Sequence, residues 1–222
     1  MKIIARIHSD YKEKFGIPRQ PGLVTGCEAR IVFEPEYRSP EALRGIEEFS
    51  HLWLIWQFSK AVREEFSPTV RPPRLGGNKR VGVFATRSPF RPNPIGLSCV
   101  KLLRTEEVSG LGITLIVDGA DLLDGTPIYD IKPYLPYADC KPDASGGFAE
   151  EVFDYSLEVN IPDGLLAKIP EEKREAVAEI LRQDPRPSYK ADGDRVYVFK
   201  FADMEISFTV DSGVLTVTDV TR

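Results

Sequence analysis

Residues 84–97 read Phe84-Ala85-Thr86-Arg87-Ser88-Pro89-Phe90-Arg91-Pro92-Asn93-Pro94-Ile95-Gly96-Leu97. Three prolines, each fixing φ and lacking an amide donor, exclude a helix here. The stretch is an irregular loop that leaves the apolar segment Val81–Ala85 and feeds the strand-like Leu97–Arg104. The same texture recurs on both sides. Lys2–His8, Glu28–Phe33, His51–Phe58 and Gly112–Val117 are short segments separated by Gly and Pro, several with the apolar–polar alternation of half-buried strands. One helix is expected among them, with Ser39 as cap, Pro40 at its first position, Glu41 at the positive end and a buried stripe of Leu43, Ile46 and Phe49. Many short strands and little helix predict a mainly β fold, a small barrel or a sandwich.

The texture changes after Tyr137. We read residues 1–138 as the β-barrel domain, the polar stretch 139–154 as a linker, and 155–222 as a smaller α+β domain. The latter holds a helix over Glu171–Arg182, introduced by Pro170, with Ala176, Val177, Ile180 and Leu181 on one face. Strands follow at Val196–Phe201, Ile206–Val210 and Val214–Val220, the last two joined across Asp211-Ser212-Gly213 as a hairpin.

The 222 residues, 42% of them hydrophobic, suffice to bury such cores. No basic-then-apolar leader is visible, and no apolar run approaches the roughly 20 residues of a membrane span, so the sequence points to the cytoplasm. Cys27, Cys99 and Cys140 are odd in number and far apart, as expected of reduced and mostly buried thiols, and two histidines leave little material for a metal cluster. The net charge of −5 is unevenly spread. From Ser67 to Lys101 there is no acid but seven cations: Arg71, Arg74, Lys79, Arg80, Arg87, Arg91 and Lys101. That run suits a polyanion or a carboxylate-bearing ligand, or else a solvated face.

Four segments exceed what packing requires. In Phe15–Gly22 two prolines brace a guanidinium and an amide, Arg19 and Gln20. In residues 84–97, Arg87 and Arg91 could fork around a carboxylate or phosphate, and Asn93 is either a turn residue or a fixed hydrogen-bonding group. In Gly119–Tyr134 the carboxylates could accept from ligand hydroxyls, while Asp130, Lys132 and Tyr134 alternate along an extended strand and share a face. The fourth is Asp184-Pro185-Arg186-Pro187-Ser188-Tyr189, directly after the second helix. No glycine-rich dinucleotide or phosphate loop, nucleophile elbow or zinc-protease helix is present.

These segments together resemble the TsaA-like family, and over the whole chain its transfer RNA methyltransferase members. The likeness rests on Gly16-Ile17-Pro18-Arg19-Gln20-Pro21-Gly22, Phe49-Ser50-His51-Leu52-Trp53, Arg71-Pro72-Pro73-Arg74-Leu75-Gly76-Gly77-Asn78, the Arg87/Arg91 loop, Asp124-Gly125-Thr126-Pro127 and Asp184-Pro185-Arg186-Pro187. It implies a β-barrel methyltransferase, working as a homodimer with S-adenosylmethionine near the subunit boundary. The implied substrate is the N6-threonylcarbamoyl derivative of the adenosine 3′ of the anticodon, methylated on that nitrogen. Carried over by motif, the cofactor would be held by Pro18, Arg19, Gln20, His51, Leu52, Arg87, Leu97, Asp121, Leu122, Leu123 and Asp124. Beside this we expect Asp130 to accept the substrate's proton with Tyr134 orienting it. Arg71, Arg74, Lys79, Arg80, Arg91, Asn93 and Lys132 are expected to meet RNA or the substrate. The competing readings are a non-catalytic module binding S-adenosylmethionine or RNA, and a small-molecule methyltransferase.

Overall fold

The computed structural model describes residues 1–62, 65–72, 75, 79–152, 155–186 and 195–222. Six strands build the first sheet: β1 (Ala5–His8), β2 (Ala29–Phe33), β3 (His51–Gln57), β6 (Ile95–Val108), β7 (Gly112–Asp118) and β8 (Pro127–Pro133). Their order is β1-β2-β7-β6-β3-β8, and β8 returns to pair with β1, so the hydrogen-bonded ladder closes on itself. All these pairs are antiparallel. Closure removes the exposed edges that an open sheet would leave.

Alternation places the core. Leu52, Leu54 and Trp56 of β3 point inward, as do Ala29, Ile31 and Phe33 of β2, and they meet Ile7, Val100, Leu115, Val117, Leu122 and Ile128. The 14-residue β6 serves two neighbours, pairing with β3 through Ile95–Lys101 and with β7 through Lys101–Val108. A register shift between Leu102 and Arg104 lets the long strand turn with the barrel.

Two expectations fail locally. No α-helix forms over 39–49; two 3-10 turns stand there instead, Pro40–Leu43 and Ile46–Glu48, after a third at Pro35–Tyr37, and Ser39 makes no side-chain cap. Gly45 sits at φ +84°, a left-handed conformation that interrupts helical propagation. Leu43, Ile46 and Phe49 nevertheless pack on the barrel core, so the apolar spacing served burial without a helix. The expected strand Val81–Ala85 is reduced to β5 (Val81–Gly82), paired only with β4 (Thr69–Val70), before a 3-10 turn at Val83–Ala85.

Beyond the short α1 (Pro136–Asp139) lies a second sheet: β10 (Tyr197–Phe201), β11 (Met204–Asp211), β12 (Val214–Thr221) and β9 (Glu158–Asn160), with β9 parallel to β12. α2 (Asp163–Leu166) is a single turn, and α3 spans Glu171–Arg182 with Ala176, Val177, Ile180 and Leu181 buried. Each larger aliphatic side chain so buried contributes roughly 1.5–3 kcal/mol. This second core also takes Tyr11, Val24 and Cys27 from the β1–β2 connection, with Phe15 and Ile17 packed against it. The proline-braced loop at 15–22 is therefore held from below by the C-terminal sheet. Of the three thiols expected to be mostly buried, Cys27 is buried, Cys99 half-buried and Cys140 exposed, because it follows α1 on the surface. Among the described residues no helix is long and apolar enough to cross a membrane.

Candidate functional site

One end of the barrel opens into a cavity of about 890 Å³. Five pieces of chain converge there: the loop at 17–20, the end of β3 with Phe58–Ala61, the loop at 86–93, the start of β6 at Ile95–Leu97, and the Asp121–Leu123 connection after β7. A volume of this order takes a nucleoside-sized ligand. Its walls are largely apolar, with Trp56, Phe58, Phe90, Ile95 and Leu97 among them, and the chain's two tryptophans, Trp53 and Trp56, both border it.

Charge in the cavity is one-sided. Among the described residues, Lys14, Arg19, Lys60, Arg87 and Arg91 line it, against a single carboxyl, Asp121. Arg87 donates to the Gln20 side chain, so two of the proline-rich loops are tied together at the cavity wall. Arg19 donates through Nη2 to the Asp184 carbonyl at 3.3 Å, reaching the fourth motif singled out from the sequence. Arg91 turns back onto its own loop, donating to the carbonyls of Thr86 at 3.0 Å and Ser88 at 3.4 Å.

Asp121 belongs to a buried chain of hydrogen bonds. Trp56 donates its indole N–H to Ser98 Oγ at 2.9 Å, and Ser98 donates its hydroxyl proton to Asp121 Oδ1 at 2.5 Å. Room for the indole comes from Gly96, where a Cβ would fall 2.2 Å from the Trp56 ring. Burial pushes the Asp121 carboxyl up to about 6, despite the opposing pull of Ser98, the backbone and Arg87.

The cavity gathers many of the residues read from the sequence: Pro18, Arg19, Gln20, Arg87, Leu97, Asp121 and Leu123 of the cofactor set, and Arg91 and Asn93 of the substrate set. Others stand elsewhere. Leu52 and Leu122 are fully buried in the barrel core because inward positions alternate along their segments. Asp124 closes a turn, accepting from Lys12 at 2.9 Å and from the Ser9 amide at 3.1 Å. Burial alone would raise its carboxyl, but Lys12 and Ser9 outweigh that and hold it below the usual range.

His51 lies at the outer start of β3, its Nδ1 2.9 Å from Ser50 Oγ and its ring edge-on to Tyr134. Asp130 is outside the cavity lining, ion-paired with Lys132 at 2.9 Å and accepting the Ile131 amide at 3.0 Å. Tyr134 packs on Trp53, behind the cavity wall. Alternation does put Asp130 and Lys132 together, as expected, but on a face that does not line the cavity. Arg71, Lys79 and Arg80 are outside the lining too; Arg71 and Arg80 flank β4 and β5, and none forms an ion pair with a described residue. Arg74 falls outside the described residues.

Trp56 and Ser98 fall outside the motifs read from the sequence, and Trp53 and Gly96, within them, were assigned no role. Two tryptophans three positions apart in one strand, in a chain with no others, were the available signal. Their joint use depends on the β3–β6 register, where Trp56 pairs with Gly96 and Leu54 with Ser98.

Comparisons with known proteins agree with this architecture. Residues 6–140 match the model of the tRNA-methyltransferase O N-terminal domain, and residues 155–222 match that of the TrmO C-terminal domain. The tRNA (adenine(37)-N6)-methyltransferase of Escherichia coli is 46% identical over 193 residues, covering 84% of this chain and 82% of that one. A Pseudomonas aeruginosa protein, RcsF, bearing the name of an S-adenosylmethionine-dependent methyltransferase, is 39% identical over 219 residues, covering 91% and 89%. The crystal structure of a TrmO superposes with a TM-score of 0.80 at 33% identity, over 99% of this chain and 97% of the other. With both of its sheets matched in order, and its cavity walled by the arginine loops of the first, this chain belongs to the tRNA-methyltransferase O family.

Proposed function

We propose that this chain is an S-adenosylmethionine-dependent methyltransferase acting on adenosine 37 of transfer RNA, and that its substrate already carries an N6-threonylcarbamoyl group. Support comes from relatives named for that transfer and for that cofactor, and above all from the braced cavity in which Arg87 and Gln20 meet against an apolar wall. The donor set fits the cofactor. Leu97, Trp56 and Phe90 offer a surface for an adenine ring, and Arg19, Arg87 and Gln20 offer hydrogen bonds to a carboxylate and hydroxyls. When bound, S-adenosylmethionine supplies an electrophilic methyl group, so the protein has chiefly to align the acceptor nitrogen, exclude water and remove one proton.

Arg91 and Asn93 at the rim, with Arg71, Lys79 and Arg80 beyond it, are assigned to the RNA backbone or the threonyl carboxylate. Lys132, Asp130, His51 and Tyr134 form an outer surface beside Trp53, and a homodimer that closed over it would bring them nearer a cavity. We assign the barrel to residues 1–138, a linker to 139–154 and the α+β unit to 155–222, and place the protein in the cytoplasm.

The test is direct. Purified chain, S-adenosylmethionine and transfer RNA with or without the threonylcarbamoyl group are incubated, and the nucleosides are resolved by mass spectrometry. One added methyl on the threonylcarbamoyl nucleoside alone is expected. Transfer to unmodified adenosine removes the finer substrate assignment, and no transfer at all removes the activity.

A further inference from the structure

N-methylation releases a proton, and among the described residues that line the cavity only one side chain is a carboxylate. Asp130, the acceptor expected from the sequence, lies outside that lining and is occupied by Lys132. Asp121 lies inside it.

The geometry around Asp121 orients the carboxyl. Ser98 is fully buried and has one hydroxyl proton. Its oxygen receives the Trp56 indole N–H, so the hydroxyl proton is directed to Asp121 Oδ1. With Oδ1 acting as an acceptor, a proton arriving at the carboxyl goes to Oδ2. Trp56 is itself wedged in place by the missing side chain at Gly96. An acid in the cavity is thus held in one orientation by neutral donors, with no cation bonded to it among the described residues.

We propose that Asp121 accepts, on Oδ2, the proton lost by the substrate nitrogen as it is methylated, with Ser98 and Trp56 as positioning residues. This rests on the methyltransferase reading above. In the step the N–H bond breaks and its proton passes to Asp121. The nitrogen's electron pair forms the new N–CH3 bond, and the breaking C–S bond leaves its pair on sulfur, so the sulfonium becomes a neutral thioether. Asp121 then returns its proton to solvent.

Burial sets the group's affinity near 6, close enough to neutrality for a proton to be both taken and released. The charged and titratable groups that face it are Arg87, whose field lowers that affinity, and Tyr11, whose own proton is held more tightly chiefly by burial, with Asp121 adding a small part. The other lining cations are Lys14, Arg19, Lys60 and Arg91.

The experiment compares wild type with Asp121→Asn, Asp121→Glu and Ser98→Ala. Single-turnover methylation of transfer RNA is followed against pH, S-adenosylmethionine binding by calorimetry, and the carboxyl titration by infrared difference spectroscopy on the protein alone. Expected for Asp121→Asn is a rate loss of about 100-fold or more with cofactor binding changed less than about threefold. Asp121→Glu should recover part of the rate. Wild type should show a rate limb and a carboxyl signal that titrate together near 6; the signal should vanish in Asp121→Asn, and Ser98→Ala should move limb and signal upward together.

An undiminished rate in Asp121→Asn overturns the proposal. So does a parallel loss of cofactor binding, which would make Asp121 a cofactor ligand alone. If wild type transfers no methyl group, the methyltransferase reading falls first; if wild type transfers and Asp121→Asn keeps pace, only the acceptor role falls.

Discussion

Asp121, at the open end of the barrel, and Asp184, at the end of α3, are both withdrawn from water and are treated in opposite ways. Asp184 meets the Arg186 guanidinium through two bonds of 2.8 and 3.0 Å and the Tyr155 hydroxyl at 2.8 Å. Burial alone would raise its carboxyl, but Arg186 and Tyr155 outweigh that and hold it below the usual range. Asp121 has a serine hydroxyl and no bonded cation, so burial prevails. A paired acid in the second core keeps its charge and acts as a staple, whereas an unpaired acid in the cavity can exchange its proton near neutral pH. The staple also serves the cavity, because the Asp184 carbonyl receives Arg19.

The contrast breaks most visibly if the staple loses its cation. Arg186→Ala leaves a carboxylate buried and unpaired, and urea unfolding should show a loss of about 3–5 kcal/mol. The pH dependence has a defined sign. With its folded affinity depressed, Asp184 contributes stability that is present above the unfolded carboxylate range and is lost as pH falls through the folded value. Arg186→Ala should therefore flatten the acid limb of the wild-type stability curve. A variant as stable as wild type would make the pair ornamental.

Asp121→Asn should act the other way. Its folded affinity lies above the unfolded one, so its favourable contribution is complete below pH about 4 and fades as pH rises through about 6. The variant should gain up to about 3 kcal/mol over wild type at neutral pH, with the gain vanishing in acid. Thermal unfolding across that range checks it, and a gain independent of pH would refute the assignment of the strain to a buried charge. The smallest effect belongs to Tyr155→Phe, which removes one bond to Asp184 and should cost about 1 kcal/mol in the same unfolding assay.

Local patterning carried much of the fold. The buried face of α3 and the hairpin across Asp211–Gly213 follow from spacing alone, because amphipathic period and turn chemistry are properties of contiguous residues. The helix expected at 39–49 failed where one residue overrode an apolar period, since Gly45 turns left-handed between two 3-10 turns. The arginine loops stood out because prolines and paired cations are visible in the chain. Asp130 shows a related point: alternation says which residues share a face, but not whether that face lines a cavity.

The sequence by itself determined the strand-rich first part, the α+β second part, the basic run and the proline-braced segments, all of which depend on residues near one another along the chain. Only the tertiary structure decided that Asp121, Ser98, Trp56 and Gly96 make one device, and that the loop carrying Arg19 is seated on the C-terminal sheet. The physical reason is register. Which residue of β3 faces which residue of β6, and which carboxyl is left at the open end of a barrel, follow from how the closed ladder is paired, and no single segment contains that information.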